Sequence, residues 1–312
     1  RITPSRLPSS SPTCRSSAMG SSASISPSPP AQSTTTRTSP LETVRDYSFP
    51  TQNLRRHLTH AKTPLVLVAC GSFSPITTLH LQLFELSARY AESTDFEIVG
   101  KYISPCSDGY GKSSLVPAQH RINMCTLAIE ERQSDVMIDE WEALRTDDSG
   151  RPMYTPTADV LKRLDEQIND VIGGIKTPDG KTVRARVMLL MGADLALTMG
   201  NPTSWSSADL DVLLGFYGGF VVERPKQCDI NDALAPLEKY KHNVWVVPSF
   251  ENDVSSTKVR EQIQNGENAM DLPKSVFDYI KTQGLYQIVQ PTEDESGETD
   301  KQRVNSSATS NR

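Results

Sequence analysis

Two short segments, far apart in the chain, carry residue types and spacings that can hold a phosphate. The later one reads Asn252-Asp253-Val254-Ser255-Ser256-Thr257-Lys258-Val259-Arg260. Its three hydroxyls are followed by two cations within about one and a half helical turns. Ser and Thr ahead of a helical run serve as ordinary caps, a reading that needs no ligand. Hydroxyls, amide donors and two cations around one helix start also make a phosphate cradle. Arg260 stands four residues after Ser256 and shares its helix face. The earlier segment reads Gly71-Ser72-Phe73-Ser74-Pro75-Ile76-Thr77-Thr78-Leu79-His80. A glycine directly after an apolar run lets the backbone approach a ligand closely. A helix following it presents free N–H groups and a positive dipole end to an anion. Thr77 and His80, three apart, point the same way at a helix start, where an imidazole can donate to phosphate oxygens. Taken alone, a histidine in a first turn is more often structural or merely exposed.

Both segments need elements that aim them. Residues 65–70 form a continuous apolar run ended by Gly71, the pattern of a buried parallel strand. After Pro75 the period becomes helical, with Leu81, Phe84 and Ala88 on one face. A second strand is predicted at 96–104. Pro117 is expected at a first helical position, opening a helix with Ile122, Cys125 and Ile129 on one side. A short strand follows at 136–138, then a helix from Thr157 through Leu161, Leu164, Ile168 and Val171. The stretch from Gly173 to Arg184 reads as a turn-rich loop. Residues 187–191 form another buried strand, closed by Gly192. Ser207 is placed as the cap of a helix through Leu210, Leu213 and Leu214. Strands at 219–223 and 244–247 and helices from Ser255 and Pro273 complete the pattern. Strands alternating with helices imply an α/β fold, doubly wound, with a mostly parallel sheet covered on both faces. Ligands in such sheets sit beyond the carboxyl ends of the strands. Both segments follow a predicted strand.

Composition sets bounds on the rest. The 312 residues are 37% apolar and 22% charged, with a net charge of −6. That charge argues against a general affinity for nucleic acid, which needs a basic face, but leaves room for a small basic pocket. Five cysteines, widely spaced and with no CxxC, read as reduced thiols of an intracellular protein. No run approaches the ~20 apolar residues of a membrane span. Residues 1–42 are dominated by Ser, Thr and Pro, and residues 291–312 are polar and acidic. Neither end can bury enough to offset its ordering entropy, so both are expected to be disordered tails around one domain at 43–290. The first tail has the Ser- and Arg-rich composition of a mitochondrial transit peptide, but Pro27, Pro29 and Pro30 would break the helix such peptides need. Nucleus or cytoplasm is the expected compartment, with the mitochondrion as the alternative.

Together the two segments resemble the nucleotidyltransferase superfamily, whose motifs are (His/Thr)-x-x-His and Ser-Ser/Thr-x-x-Arg. The match narrows to the eukaryotic nicotinamide/nicotinate mononucleotide adenylyltransferases. It is carried by both segments and by Trp141-Glu142, Gly192-Ala193-Asp194 and Val222-Glu223-Arg224. Asp46-Tyr47-Ser48-Phe49-Pro50 is similar to a lead-in of fungal members. The matches run in order from about Asp46 to Tyr286.

The resemblance implies a Rossmann-like sheet, a homo-oligomer, and transfer of the AMP part of ATP to nicotinamide or nicotinate mononucleotide. Magnesium would be bound through the ATP phosphates, with no protein metal site. The mononucleotide phosphate would attack the α-phosphorus in line, without a covalent enzyme intermediate, so that positioning and charge stabilisation do the catalysis. Carried over by position, Gly71, Ser72, Phe73, Thr77, His80, Gly192, Asp194, Ser256, Thr257, Lys258 and Arg260 would bind ATP. Of these, His80, Lys258 and Arg260 would be catalytic. Ser72, Phe73, Lys112, Tyr154, Thr157, Trp205, Arg224 and Asn252 would hold the mononucleotide, with Trp205 stacked on the pyridine ring. Two departures from the family stand out. Pro156 replaces a polar residue between Tyr154 and Thr157, and the loop around Lys112 carries fewer lysines than in many relatives. Two other readings compete: a related transferase with another substrate, such as a cytidylyl or pantetheine-phosphate transferase, and a nucleotide-binding, chaperone-like module without turnover. Trp205, Tyr154 and Thr157 favour a flat pyridine against the first; intact His80, Lys258 and Arg260 weigh against the second.

Overall fold

The apolar run ahead of Gly71 becomes strand β1 (Thr63–Gly71), buried from Pro64 to Ala69. A computed structural model describes residues 47–249, 255–267 and 269–287. All of these lie in one of two compact units, Pro40–Arg312. The tails read at 1–42 and 291–312 lie outside the described residues.

Six strands pair in parallel in the order β3 (Met137–Ile138), β2 (Phe96–Pro105), β1, β6 (Arg186–Gly192), β7 (Gly219–Val222), β8 (Val244–Val247). The alternation of side chains along the strands divides the core in two. Val66, Val68, Leu189 and Met191 face one layer. Leu65, Leu67, Met188 and Leu190 face the other. The first layer is closed by α4 (Thr157–Glu166), α5 (Ala193–Thr198), α7 (Ile230–Leu234) and a π turn at Asp211–Tyr217. The second is closed by α1 (Thr78–Glu92), α2 (Ala118–Glu131), α8 (Ser256–Gln264) and α9 (Lys274–Gln283). Burial on both faces explains why β1 and β6 read as unbroken apolar runs instead of alternating ones. Among the described residues no helix is long and apolar enough to cross a membrane.

The chain winds outward from β1 to β2 and β3, then returns to lay β6 on the other side of β1. The winding therefore reverses between β1 and β6, where their carboxyl ends leave a crevice.

Three local expectations shift. Pro117 is the N-cap of α2, with extended ψ of 145°, and its carbonyl accepts from His120 and Arg121. Ser206 caps α6 (Ser207–Leu210), not Ser207, because its hydroxyl takes the Asp209 N–H at 3.0 Å. Residues 173–184 contain a hairpin, β4 (Ile175–Lys176) with β5 (Thr182–Val183). Two-residue strands are too short to show alternation.

Candidate active site

A cavity of about 510 Å³ opens at the crevice beyond Gly71 and Gly192. It is lined by Gly71, Ser72, Phe73 and His80 from the first segment, and by Gly192, Asp194 and Arg224 across the crevice. Lys112, Tyr154, Thr157 and Trp205 complete its outer wall. Eleven of the residues expected from sequence thus face one space.

His80 is held by the start of its own helix. Thr77 is the N-cap of α1, and its backbone N–H donates to His80 Nδ1 at 2.9 Å. An N–H can only donate, so Nδ1 is the unprotonated nitrogen and the neutral ring carries its proton on Nε2. Burial, aided by the charge of Arg224, lowers the His80 pKa to about 4. At neutral pH the imidazole is therefore an uncharged donor through Nε2. Phe73 packs edge-on against it, ring centroids 5.1 Å apart. Phe73 itself sits at φ 43°, a left-handed backbone that a bulky residue adopts only where its surroundings hold it there. Thr77 is buried behind the ring and does not face the cavity.

The second segment reaches the first directly. Ser256 Oγ donates to the Pro75 carbonyl at 2.8 Å, and Arg260 Nη1 to the Ser74 carbonyl at 2.7 Å. Arg260 Nη2 also reaches Thr257 Oγ1 at 3.1 Å. Ser255 caps α8 through the Lys258 N–H. Both sequence readings of this segment hold at once: Ser255 is the ordinary cap, while its neighbours meet the other motif. Ser256, Thr257, Lys258 and Arg260 do not line the cavity itself; they stand behind the loop that does. Asn252 lies outside the described residues.

On the far side, Arg224 pairs with Asp194 at 2.9 Å, the arginine buried and the carboxylate half-exposed. Gly192 makes this possible: a Cβ there would stand 2.4 Å from Asp194 Oδ1 and 2.9 Å from Arg224 Cδ.

The outer wall is built from two loops in close contact. A Cβ on Gly109 would lie 2.7 Å from the Pro152 carbonyl. That approach stacks Tyr110 on Tyr154, centroids 6.0 Å apart, both rings about half-exposed. Trp205 is anchored by Nε1–H to Thr198 Oγ1 at 3.1 Å. Pro156 occupies the N-cap of α4, and its carbonyl accepts from Asp159. A proline there removes no helical hydrogen bond.

Several residues central to this geometry went unread in the sequence. Arg121, fully buried, donates to the carbonyls of Ser72 (3.0 Å), Cys106 (2.7 Å) and Val116 (2.9 Å) and to Asp108 (2.8 Å). It ties the loop after β1 to both ends of the connection between β2 and α2. Asp139 and Arg163 form a buried pair at 2.9 Å, and Glu142 lines the cavity floor. No spacing announces these; only the Trp141-Glu142 match touched one of them. Burial raises the thiol pKa of Cys70, and of Cys106 to about 11, so neither wall cysteine is poised as a nucleophile. Among the described residues no group of three or more His, Cys, Asp or Glu is placed to hold a metal ion.

The cytidylyltransferase-like family model matches residues 68–262. The chain is 44% identical over 254 residues to the nicotinamide/nicotinic acid mononucleotide adenylyltransferase of Schizosaccharomyces pombe, covering 80% of this chain and 67% of that protein. It is 43% identical over 251 residues to nicotinamide/nicotinic acid mononucleotide adenylyltransferase 2 of Saccharomyces cerevisiae, covering 78% of this chain and 62% of that protein. A Bos taurus relative, nicotinamide/nicotinic acid mononucleotide adenylyltransferase 1, is 33% identical over 72% of this chain and 89% of its own length. The chain spans about three fifths of the length of the Saccharomyces relative.

Proposed function

Since the chain belongs to the nicotinamide/nicotinic acid mononucleotide adenylyltransferases, within the cytidylyltransferase-like family, we propose that it joins a pyridine mononucleotide to the AMP moiety of ATP and releases pyrophosphate. The catalytic domain is read at 43–290, acting inside the cell as a homo-oligomer. The two substrates would meet at the crevice between β1 and β6, which is where a doubly wound sheet accepts nucleotides.

The observation that carries this reading is the fixed tautomer of His80. His80 lines the cavity as a neutral donor through Nε2–H, its ring already oriented by the Thr77 N–H at 2.9 Å. In an in-line transfer, negative charge builds on the oxygens of the α-phosphorus, and a preorganised donor beside them lowers the barrier. Arg260 adds a permanent charge and holds the loop that leads into the helix bearing the histidine. Lys258, Ser256 and Thr257 gather at the same helix start, where N–H groups and dipole favour the triphosphate. Asp194, half-exposed beside Arg224, is suited to accept from ribose hydroxyls. Tyr154 and Trp205 offer flat faces to a pyridine, and Lys112 offers a cation for the mononucleotide phosphate. Magnesium would arrive bound to the ATP phosphates, where it would supply charge neutralisation for the leaving pyrophosphate.

Incubating the purified chain with ATP, magnesium and either mononucleotide tests the proposal. Dinucleotide and pyrophosphate should appear in equal amounts; their absence with both substrates defeats it.

A further inference from the structure

The cavity floor holds a carboxyl that the reaction described above does not use. Glu142 lies on α3 (Trp141–Leu144), 5% exposed, and lines the cavity from below. Its Oε2 accepts from Ser104 Oγ at 2.8 Å, and Ser104 is itself fully buried. Its Oε1 accepts no hydrogen bond from any described residue, on a side chain that lines the cavity.

The side chain has little freedom to leave. The backbone N–H of Trp141 donates to Asp139 Oδ1 at 3.3 Å. The Trp141 ring meets the guanidinium groups of Arg163 at 4.5 Å and Arg145 at 4.7 Å. These contacts fix α3 and aim Glu142 at the same wall that carries Tyr154. The Tyr154 phenol feels it: burial raises its pKa first, and the charge of Glu142 contributes.

The groups facing Glu142 come from every neighbouring element. Cys70 belongs to β1, Cys106 follows β2, and Asp139 precedes α3 with Arg163 of α4 paired to it. Of the nearby cations, Arg121 on α2 is engaged by Asp108 and three carbonyls. Arg145 is engaged by Thr155 at 2.8 Å and by the Trp141 face. Around Glu142 the proposed pyridine pocket thus offers an Asp139 already paired to Arg163, two weakly polar thiols and cations already committed elsewhere.

We propose that Glu142 is a specificity-determining residue of the pyridine subsite, its ionised form favouring the uncharged carboxamide of nicotinamide mononucleotide over the carboxylate of nicotinate mononucleotide. This rests on the adenylyl-transfer reading. The chemistry is that of unlike partners. An ionised Glu142 accepts from the carboxamide NH2 and repels a carboxylate; a protonated Glu142 can donate to either group. Burial, reinforced by the charge of Asp139, pushes the Glu142 pKa up to about 8, against the opposing pull of Ser104, Arg121 and Arg145. The acid is therefore mostly protonated at neutral pH and ionises above it. The nicotinate carboxyl stays ionised throughout. Discrimination in favour of the amide should grow as pH rises.

The test uses the full chain and reads kcat/KM for each mononucleotide from about pH 6.5 to about pH 9, a span that covers both states of a carboxyl so shifted. The ratio, amide over acid, should climb roughly tenfold in the wild type, with the change carried by the KM of the acid substrate. In Glu142→Gln the ratio should be flat with pH. In Ser104→Ala, which removes a donor to the ionised form, the midpoint of the climb should move to higher pH. A residue that only supports the fold would change both substrates together and leave the ratio alone. A flat ratio in the wild type, or an unchanged climb in Glu142→Gln, overturns the inference while leaving adenylyl transfer intact. Should Glu142→Gln fail to fold, an unmoved midpoint in Ser104→Ala overturns it equally. If neither mononucleotide is converted at any pH, the functional reading fails instead, and this inference with it.

Discussion

Arg260 donates to the backbone carbonyl of Ser74 at 2.7 Å, across 186 residues of sequence. One turn earlier on the same helix, Ser256 donates to the carbonyl of Pro75. The start of α8 is thereby fastened to the loop that leads into α1. His80 sits on the first turn of α1, so a side chain of the second motif sets the position of the donor in the first. Catalysis by positioning is sensitive to displacements of this order.

Arg260→Ala should therefore reduce two quantities. Losing a charged donor to the carbonyl of the buried Ser74 should lower folding stability by about 1.5–3 kcal/mol. On the proposed role beside the phosphates, losing it should lower kcat by about 10²–10³-fold. Arg260→Lys keeps the charge but not the fork that reaches Ser74 and Thr257 together. It should recover much of the stability and little of the turnover. Urea unfolding and steady-state kinetics on the same preparations separate the two effects; a lysine variant with wild-type kcat contradicts them.

The two nitrogens of His80 have different duties, and amide variants can divide them. Asparagine places an acceptor near Nδ1, and should keep the Thr77 cap while removing the Nε2 donor. Glutamine extends a donor toward the Nε2 position and should retain more activity at some loss of stability. Because the folded-state pKa is about 4, below the usual ~6.5 of histidine, the neutral ring is the form that folding favours. Its contribution to stability is complete above about pH 6.5 and is lost as pH falls toward 4. Imidazole titration near pH 6.5 should accordingly leave no step in kcat. An NMR titration of the ring, with a midpoint near 6.5, would contradict this.

Much of this arrangement was legible from sequence because it rests on local signals. The apolar runs ending at Gly71 and Gly192 announced β1 and β6, and a change of period after Pro75 announced α1. Both motif segments are contiguous, so their spacing survives in the linear chain. Arg121, Asp139, Arg163 and Glu142 gave no such signal. Each is a charged residue buried by partners distant in sequence: Ser72 for Arg121, Arg163 for Asp139, Ser104 for Glu142. Charged side chains are rarely buried unless paired, and the pairing is visible only once the strands are in register. The hairpin of β4 and β5 was hidden for another reason: two residues cannot display a period.

Asp139 and Arg163 carry the floor of the site. The pair is almost wholly buried, with Tyr47 Oη donating to Asp139 at 2.5 Å and the guanidinium lying 4.9 Å from the Tyr47 ring. Arg163→Met leaves the carboxylate without its cation and should cost about 3–5 kcal/mol. Adding Asp139→Asn to that variant removes the orphaned charge and should recover part of the loss. Double-mutant cycles in denaturant measure the coupling. Additive losses would show that the two residues act separately.

Gly192, proposed to bear on ATP recognition, carries no strain of its own, since its φ of −79° suits any residue. What it lacks is a side chain. An alanine Cβ would be driven against Asp194 Oδ1 at 2.4 Å and Arg224 Cδ at 2.9 Å. Arg224 is buried and confined, whereas the Asp194 carboxylate is half-exposed and can rotate away. The expected consequence of Gly192→Ala is an Asp194 turned from its arginine, a rise in the KM for ATP of roughly tenfold, and a stability loss of about 1–3 kcal/mol from overpacking. If this chain of contacts is correct, Asp194→Ala alone should raise the same KM, and combining it with Gly192→Ala should add little, because the carboxylate that the methyl displaces is already gone. A double variant whose defect is the product of the two singles would mean that Gly192 serves the nucleotide through its own backbone and not through Asp194.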